Sequence, residues 1–349
     1  MTLALTQFRS RLVSGVAASP IHVLHIGDSV TESTGASATT LRYENQLDAA
    51  LQTAYDPSGV AGGSGFVNTF HNGDPASGWS LGGGGAGTNS AGYLGFREHS
   101  YNPGETATFA FTGTSFSLHF TKGKAFVTLG EFTLTIDGGA PVTVTPAAGS
   151  QNLQGVYTSP TLMRGAHTLI CTPSPGHRLY LAGIHVFDGD EHVGIHGWEA
   201  GHFGIKTSGY GGGQLADYCA MNNPALITML LGLNDLCTGV TASSYSTSIQ
   251  DIITSVRGYC AGSPSFLLLS PYARTDLTSQ QQALVPEYAN ALAAIDDGDV
   301  DVDFYDLGAN FVPTSAPAHM SDAVHPNDAG HATIASLIAT QITGSTGPG

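Results

Sequence analysis

The sequence predicts an α/β domain built on a five-stranded parallel sheet, interrupted by an all-β sandwich of jelly-roll character. Three observations predict it. Apolar runs of strand character alternate with helix-period stretches at both ends of the chain, as in a parallel sheet covered on both faces. From about Ala61 to Asp190 the helical period vanishes and two-residue alternation replaces it. The outer stretches, 1–60 and 190–349, together have the size of one ordinary α/β domain, which makes 61–189 an insertion.

The elements follow in order. Residues 21–26, Ile-His-Val-Leu-His-Ile, read as a strand that stops at Gly27, Asp28 and Ser29. Leu41, Leu47, Ala50, Leu51 and Ala54 then fall at amphipathic-helix spacings, and Asp56-Pro57-Ser58-Gly59 ends that helix. A glycine-rich stretch covers 61–95, including Gly82 to Gly85. Residues 106–111 and 115–120 alternate like half-buried strands. Residues 132–136 enter a hairpin at Asp137-Gly138-Gly139 and return through 141–145, and 167–171 and 179–187 continue the series. A two-sheet sandwich accommodates these strands. Beyond Asp190 the α/β rhythm resumes with a short strand at 193–196, a helix at 214–221 and a buried strand at 225–231. Ile249, Ile252, Ile253 and Val256 share one helical face. Two more strands follow at 266–269 and 302–306, with a helix around Pro286 to Ile295 between them. The last helix starts near Asn327, a good N-cap, and carries its apolar stripe on Ile334, Leu337, Ile338 and Ile342.

Composition narrows the function. Charged residues make up 11% of the 349, against roughly 25% in ordinary soluble domains, and glycine reaches 46. The formal net charge is −16, with no basic cluster to interrupt it. Such a field repels nucleic acid and anionic membranes and tolerates neutral ligands such as sugars. No stretch approaches the roughly 20 apolar residues of a membrane span. Arg9 and Arg11 interrupt the one stretch that could serve as a leader, so no signal peptide is visible. Cys171, Cys219, Cys237 and Cys260 show neither Cys-x-x-Cys nor metal-ligand spacing. Buried thiols, or one disulfide among the last three, are the two readings.

Chemistry concentrates where strands end. Ser29 follows the first strand directly, and a serine needs a histidine to take its proton and an acid to orient that histidine. Ser321-Asp-Ala-Val-His-Pro326 supplies both on one loop, with Asp322 three residues before His325. Gly232-Leu-Asn-Asp235 follows the buried strand at 225–231, and there Asn234 can donate to a developing oxyanion. In open parallel sheets active residues gather beyond the carboxyl ends of the strands, which suits all of these positions.

Gly-Asp-Ser at 27–29, Gly-x-Asn-Asp at 232–235 and Asp-x-x-His-Pro at 322–326 together resemble the SGNH (GDSL) hydrolase family. Its fourth block, a glycine whose amide completes the oxyanion hole, best matches Thr207-Ser-Gly-Tyr210 and gives Gly209, with Gly211 to Gly213 as alternatives of register. The resemblance implies a three-layer, flavodoxin-like α/β/α fold. It implies Ser29 as nucleophile, His325 as base, Asp322 as its orienting acid, and an oxyanion hole from Ser29, Gly209 and Asn234. Neither metal nor organic cofactor is required. Family members with a β-sandwich resembling a carbohydrate-binding module often act on acylated polysaccharides. The expected activity is therefore serine-ester hydrolysis of a short acyl group, acetyl first, on a carbohydrate outside the cell or on a cell or virion surface. A glycan-binding or adhesion protein that uses the fold as scaffold is the alternative. A lipase or thioesterase is a third, against which stands the lack of a long apolar lid segment.

Other residues invite weaker readings. Trp198 and Asp28 are the candidate substrate-binding residues, although Asp28, like Asp235, suits holding its own turn by hydrogen bonds. Trp79, Tyr93, Trp198 and Phe203 offer aromatic faces for sugar rings, with core packing as the ordinary role of each. Glu191, His192 and His196 lack ligand geometry on a strand, and Asp188-Gly-Asp190 lacks the rest of a calcium loop.

Overall fold

The computed structural model describes residues 5–16, 18–32, 34–55, 63–69, 78–82, 99–121, 130–146, 154–210 and 215–344. Tyr93, Gly83 to Gly85, Gly211 to Gly213 and the helix-ending run at 56–59 lie outside these residues. Two compact units result, Met1–Val60 with His192–Gly349, and Ala61–Glu191.

The first unit opens with α1 (Thr6–Ser14), β1 (Ile21–Gly27) and α2 (Tyr43–Tyr55). The sequence pattern offered no sign of α1, whose only buried side chain is Phe8. It is tied down instead by polar contacts: the Leu5 amide donates to Asp303 Oδ2 at 2.6 Å and the Gln7 amide to Ser265 Oγ at 3.0 Å.

The second unit holds β2 (Gly65–Asn68), β3 (Trp79–Gly82), β4 (His99–Tyr101), β5 (Thr106–Gly113), β6 (Ser115–Thr121), β7 (Phe132–Ile136), β8 (Val142–Val144), β9 (Gln154–Thr158), β10 (Gly165–Pro173) and β11 (Leu179–Phe187). They form two antiparallel sheets, ordered β3-β5-β10-β7-β8 and β2-β11-β6-β9, with β4 added to β11. One apolar core serves both, with Phe109, Phe132 and Leu169 from the first sheet meeting Phe116, Leu118 and Ile184 from the second. The β7–β8 hairpin turns on Asp137 and Gly138, whose φ values of 51° and 69° are the left-handed pair that a right-twisted hairpin needs.

The chain then returns to the first unit with β12 (Ile195–Gly201), α3 (Ala216–Asn222), β13 (Leu226–Leu230), α4 (Leu233–Cys237), α5 (Ala242–Tyr259), β14 (Ser265–Leu269), α6 (Ser279–Asp296), β15 (Val302–Tyr305), α7 (Leu307–Asn310) and α8 (Asp328–Thr343). Its sheet is five-stranded and wholly parallel, ordered β12-β1-β13-β14-β15, as the sequence predicts. Leu5, just before α1, and Phe8, Leu47, Leu51, Ile334 and Ile338 from α1, α2 and α8 share one core cluster with Val23 and Leu226 of the sheet. Ile249, Ile252, Ile253 and Val256 of α5 are buried, as their spacing predicts.

Two helices depart from expectation. The pattern starts α6 near Pro286, yet the helix begins at Ser279 and carries Pro286 inside it. A capping box explains the early start: Thr278 Oγ1 accepts from the Gln281 amide and Gln281 reaches back to the Thr278 amide. In α2 the buried face is Tyr43, Glu44, Leu47, Asp48 and Leu51, while Leu41 and Ala54 are exposed. Polar groups on the sheet invite the acids inward. Asp48 Oδ1 accepts from His25 Nε2 at 3.0 Å, and His25 Nδ1 meets Thr228 Oγ1 at 2.8 Å.

Register places the site. Gly27 pairs with Gly201 on one side and Leu230 on the other, so β12, β1 and β13 end level. The residues after each strand therefore leave the sheet along one carboxyl edge.

Candidate active site

Ser29 stands on a turn that only glycine could open. A Cβ on Gly27 would lie 1.9 Å from Thr31 Oγ1, and the chain reverses there at once. The Glu32 amide donates to the Asp28 carbonyl at 2.9 Å, and the Thr34 amide to the Ser29 carbonyl at 2.9 Å. Thus held, Ser29 Oγ lies 3.0 Å from His325 Nε2. His325 Nδ1 lies 2.8 Å from Asp322 Oδ2, while Asp322 Oδ1 accepts the amides of Val324 and His325, both at 2.7 Å. The loop itself is braced by Ser321 N to His325 O at 2.8 Å and by the Tyr272 hydroxyl on the Val324 carbonyl at 2.5 Å. Partial burial alone would raise the Asp322 carboxyl, but the bonds from the His325 ring and from both amides outweigh it and hold the carboxyl below its usual range.

Asn234 enters from the third strand end. Gly232 turns the chain at φ 120°, and Asn234 Nδ2 donates to the Ile205 carbonyl at 2.9 Å, leaving its second N–H available. Asp235 is buried and holds the neighbouring turn, accepting from the Thr207 amide at 3.1 Å and the Thr207 hydroxyl at 2.7 Å.

Gly209 sits in a single helical turn and its amide is already bonded to the Lys206 carbonyl at 3.0 Å. The sequence reading ended the preceding strand near His196, but β12 runs on to Gly201, so the first turn beyond the sheet is 202–205. That turn is pinned at both ends. The His202 amide donates to the Gly27 carbonyl at 3.1 Å, the Phe203 amide donates to the buried carboxylate of Glu32, and Asn234 holds Ile205. Between them Gly204, at φ 71°, has open space where a side chain would stand, and its amide donates to none of the described residues. The rule that found Ser29 and Asn234, a polar turn directly after a strand, finds Gly204 once the strand end is right. Glu32, three residues after Ser29, had no sequence signal pointing to this use.

Both candidate substrate-binding residues are corrected. Trp198 lies inside β12, opposite Leu24, and is only 3% exposed. Its indole N–H donates to His22 Nδ1 at 3.0 Å and its ring packs edge-on against Tyr218. A tryptophan in a strand covered on both faces is core whichever way it points. Trp79 is likewise buried, against Phe109. Asp28 is fully buried and accepts the Val30 amide at 3.1 Å, so it supports the serine turn. Phe203 is the aromatic that reaches the site, 52% exposed and nearly parallel to the His325 ring, with centroids 6.3 Å apart.

Burial pushes the Asp28 carboxyl up to about 7, with the nearby charge of Asp235 adding to it and the Val30 amide and Arg274 opposing it. Between about pH 4 and pH 7 the folded chain therefore holds a proton at Asp28 that the unfolded chain has lost, and stability falls as pH rises through that window. The expected result is that Asp28→Asn flattens this fall, by at most about 1.4 kcal/mol per pH unit. Thermal midpoints of both proteins at pH 5 and pH 8 check it; parallel shifts in the two would assign the slope to other groups.

Among the described residues, Asp190, Glu191 and His192 bring ligand atoms within 4.8 Å of one another. They are consecutive, and two of the three are exposed. His196 is turned away, its Nε2 on the Val193 carbonyl at 2.8 Å, so the spacing considered for zinc closes no site. All four cysteines are free, Cys171 and Cys219 buried, Cys260 half-buried and Cys237 exposed.

Residues 180–333 match the model of the GDSL-like lipase/acylhydrolase family. The chain carries a GDSL-like lipase/acylhydrolase domain. It is a carboxylic ester hydrolase with the SGNH fold. Ser29 lies outside the matched span because the β unit separates the first block from the rest, and the pairing of β1 with β12 and β13 restores it to the domain. Among solved structures, one titled "Peptidoglycan O-acetylesterase in action" is similar over 95% of this chain and 94% of its own, at 14% identity and a TM-score of 0.70. A family two carbohydrate esterase from Clostridium thermocellum in complex with cellohexaose is 13% identical over 76% of this chain and 98% of its own, at a TM-score of 0.37. A putative GDSL-like lipase from Bacteroides ovatus is 11% identical over 69% of this chain and 85% of its own, at 0.36. No curated protein matches this hydrolase in sequence. No helix among the described residues is long and apolar enough to cross a membrane.

Proposed function

We propose that the chain removes a short acyl group, acetyl first, from a carbohydrate or cell-surface polysaccharide, with Ser29 as nucleophile. The observation that carries the reading is the hydrogen-bonded series Ser29, His325, Asp322 at 3.0 and 2.8 Å. His325 Nε2 takes the Ser29 proton as Oγ attacks the ester carbonyl, and Asp322 holds the imidazole with its proton on Nδ1 and stabilises the imidazolium. The oxyanion takes hydrogen bonds from the Ser29 amide, the Gly204 amide and the second N–H of Asn234, each such donor contributing roughly 3 kcal/mol to the transition state. His325 then gives its proton to the departing alcohol. Water attacks the acyl-serine by the same route in reverse, releasing the acid and restoring Ser29.

Two things support the substrate class. The Asp322 side of the site is open, with its side chain 53% exposed, so an ester on a bulky alcohol reaches Ser29 without the polymer entering the fold. The fold is also the one a peptidoglycan O-acetylesterase uses, which makes an acetylated glycan the first substrate to try. In this reading the enzyme works outside the cell or on a surface, and the β unit at 61–191 recruits the glycan.

The expected result is faster hydrolysis of p-nitrophenyl acetate than of p-nitrophenyl octanoate, together with acetate release from an O-acetylated glycan. Preference for octanoate would make the enzyme a lipase. Activity on the nitrophenyl esters without glycan deacetylation would remove the carbohydrate from the proposal.

A further inference from the structure

The turn at 202–205 presents more than an amide. Phe203 is the exposed aromatic beside His325, 52% accessible, its ring plane 19° from the imidazole and 6.3 Å away. Its backbone is fixed, because the amide donates to Glu32, which is 6% exposed, while His202 and Ile205 are held on either side at 3.1 and 2.9 Å. The ring is therefore a platform on a pinned turn.

Reaction geometry decides which part of the substrate meets it. The acyl carbon must sit over Ser29 Oγ and the carbonyl oxygen must face the donors around Asn234. The leaving oxygen must approach His325 Nε2, because that nitrogen hands it the proton as the ester bond breaks. Whatever the leaving oxygen is attached to thus lies close to the imidazole, the ring that Phe203 faces at 6.3 Å.

We infer that Phe203 is the stacking subsite for the alcohol portion of the ester, a pyranose ring, and that it has no part in choosing the acyl group. A pyranose face suits it, since axial C–H groups carry slight positive charge and the face of an aromatic ring is negative. This rests on the carbohydrate reading above.

The test compares wild type, Phe203→Ala and Phe203→Trp on an O-acetylated pyranoside and on ethyl acetate, whose alcohol is too small to stack. Alanine is expected to lower kcat/KM for the pyranoside about tenfold, through KM, with ethyl acetate within about twofold of wild type. Tryptophan restores the pyranoside rate. The ratio of p-nitrophenyl acetate to butyrate hydrolysis stays as in wild type. Retained ethyl acetate activity shows that the variant is folded. An equal loss on both acetates would mean that Phe203 acts only by placing His325, and no loss on either would mean that it touches nothing; each overturns the subsite. A wild type that cleaves ethyl acetate and no acetylated sugar overturns the carbohydrate reading and the subsite together, before any variant is compared.

Discussion

Ser29→Ala is expected to lower kcat/KM for p-nitrophenyl acetate by about 10⁵-fold, and His325→Ala to cost about as much. In the proposed mechanism the two side chains form one device. Without the imidazole the hydroxyl stays protonated and unreactive, and without the hydroxyl the imidazole has no proton to take across the 3.0 Å between them. Losses from such a pair do not add, so the double variant is expected within about threefold of either single. What the proposed mechanism leaves in these variants is transition-state binding by the amides of Ser29 and Gly204 and by Asn234, so activity above the uncatalysed rate is expected. The fold tolerates the serine change because the bond that holds this turn, from the Thr34 amide at 2.9 Å, uses the Ser29 carbonyl. Steady-state kinetics on the three variants, with circular dichroism to confirm folding, provides the measurement. A Ser29→Ala protein that keeps a tenth of the activity, or a double variant far slower than either single, would dismiss the paired mechanism.

Legibility in the sequence followed how local each signal was. The four residues Ser29, Asn234, Asp322 and His325 are each announced by their own neighbours: an apolar strand, a glycine turn, a carboxylate three residues from an imidazole. The parallel sheet was legible for the same reason, since each strand is a self-contained apolar run. What depended on where an element stops was misread. Residues 197–201 include Gly197 and Gly201, which interrupt an apolar pattern, so the strand end is read five residues early and the turn at 202–205 is passed over for the block at Gly209. Gly197 is tolerated because Asp48 of α2 fills its place, with Oδ2 1.6 Å from where a Cβ would be. The inward acids of α2 were invisible because what they meet inside comes from the sheet, His25 of β1 beside Asp48 and the ion pair that Arg42 makes with Glu199 of β12 beside Glu44. Arg42 and Glu199 lie 3.7 Å apart with both side chains buried, and burial raises Glu199 well above the ordinary carboxyl range, against the pull of Arg42. Trp198 illustrates the converse error. Its neighbourhood to the site in sequence suggested function, and the burial of the whole strand decided otherwise.

Asp322→Asn is expected to lower kcat by about 10⁴-fold while KM stays near that of the wild type. The substitution preserves shape and reverses direction. Asp322 Oδ1 already accepts two amides, those of Val324 and His325, at 2.7 Å each. An asparagine has one acceptor oxygen, and these two donors claim it, so the NH₂ group is left facing His325 Nδ1. A donor there makes Nδ1 an acceptor and moves the ring proton to Nε2, which then points its hydrogen at Ser29 Oγ and cannot act as base. The loop itself survives, since the two backbone bonds are kept, and KM is spared because the substrate does not touch residue 322 in this mechanism. Imidazole nitrogen chemical shifts distinguish the outcomes: the proton sits on Nδ1 in the wild type and on Nε2 in Asp322→Asn. A loss of less than tenfold, or an unchanged tautomer, would show that the carboxylate only tethers the loop. The wild-type carboxylate also sets a pH dependence. Its folded pKa is depressed, so it stabilises the folded chain above the ordinary aspartate value of about 4 and ceases to do so as pH falls through the lower folded value. Asp322→Asn removes that dependence along with the activity, which ties the acid limb of loop stability and the tautomer of His325 to one side chain.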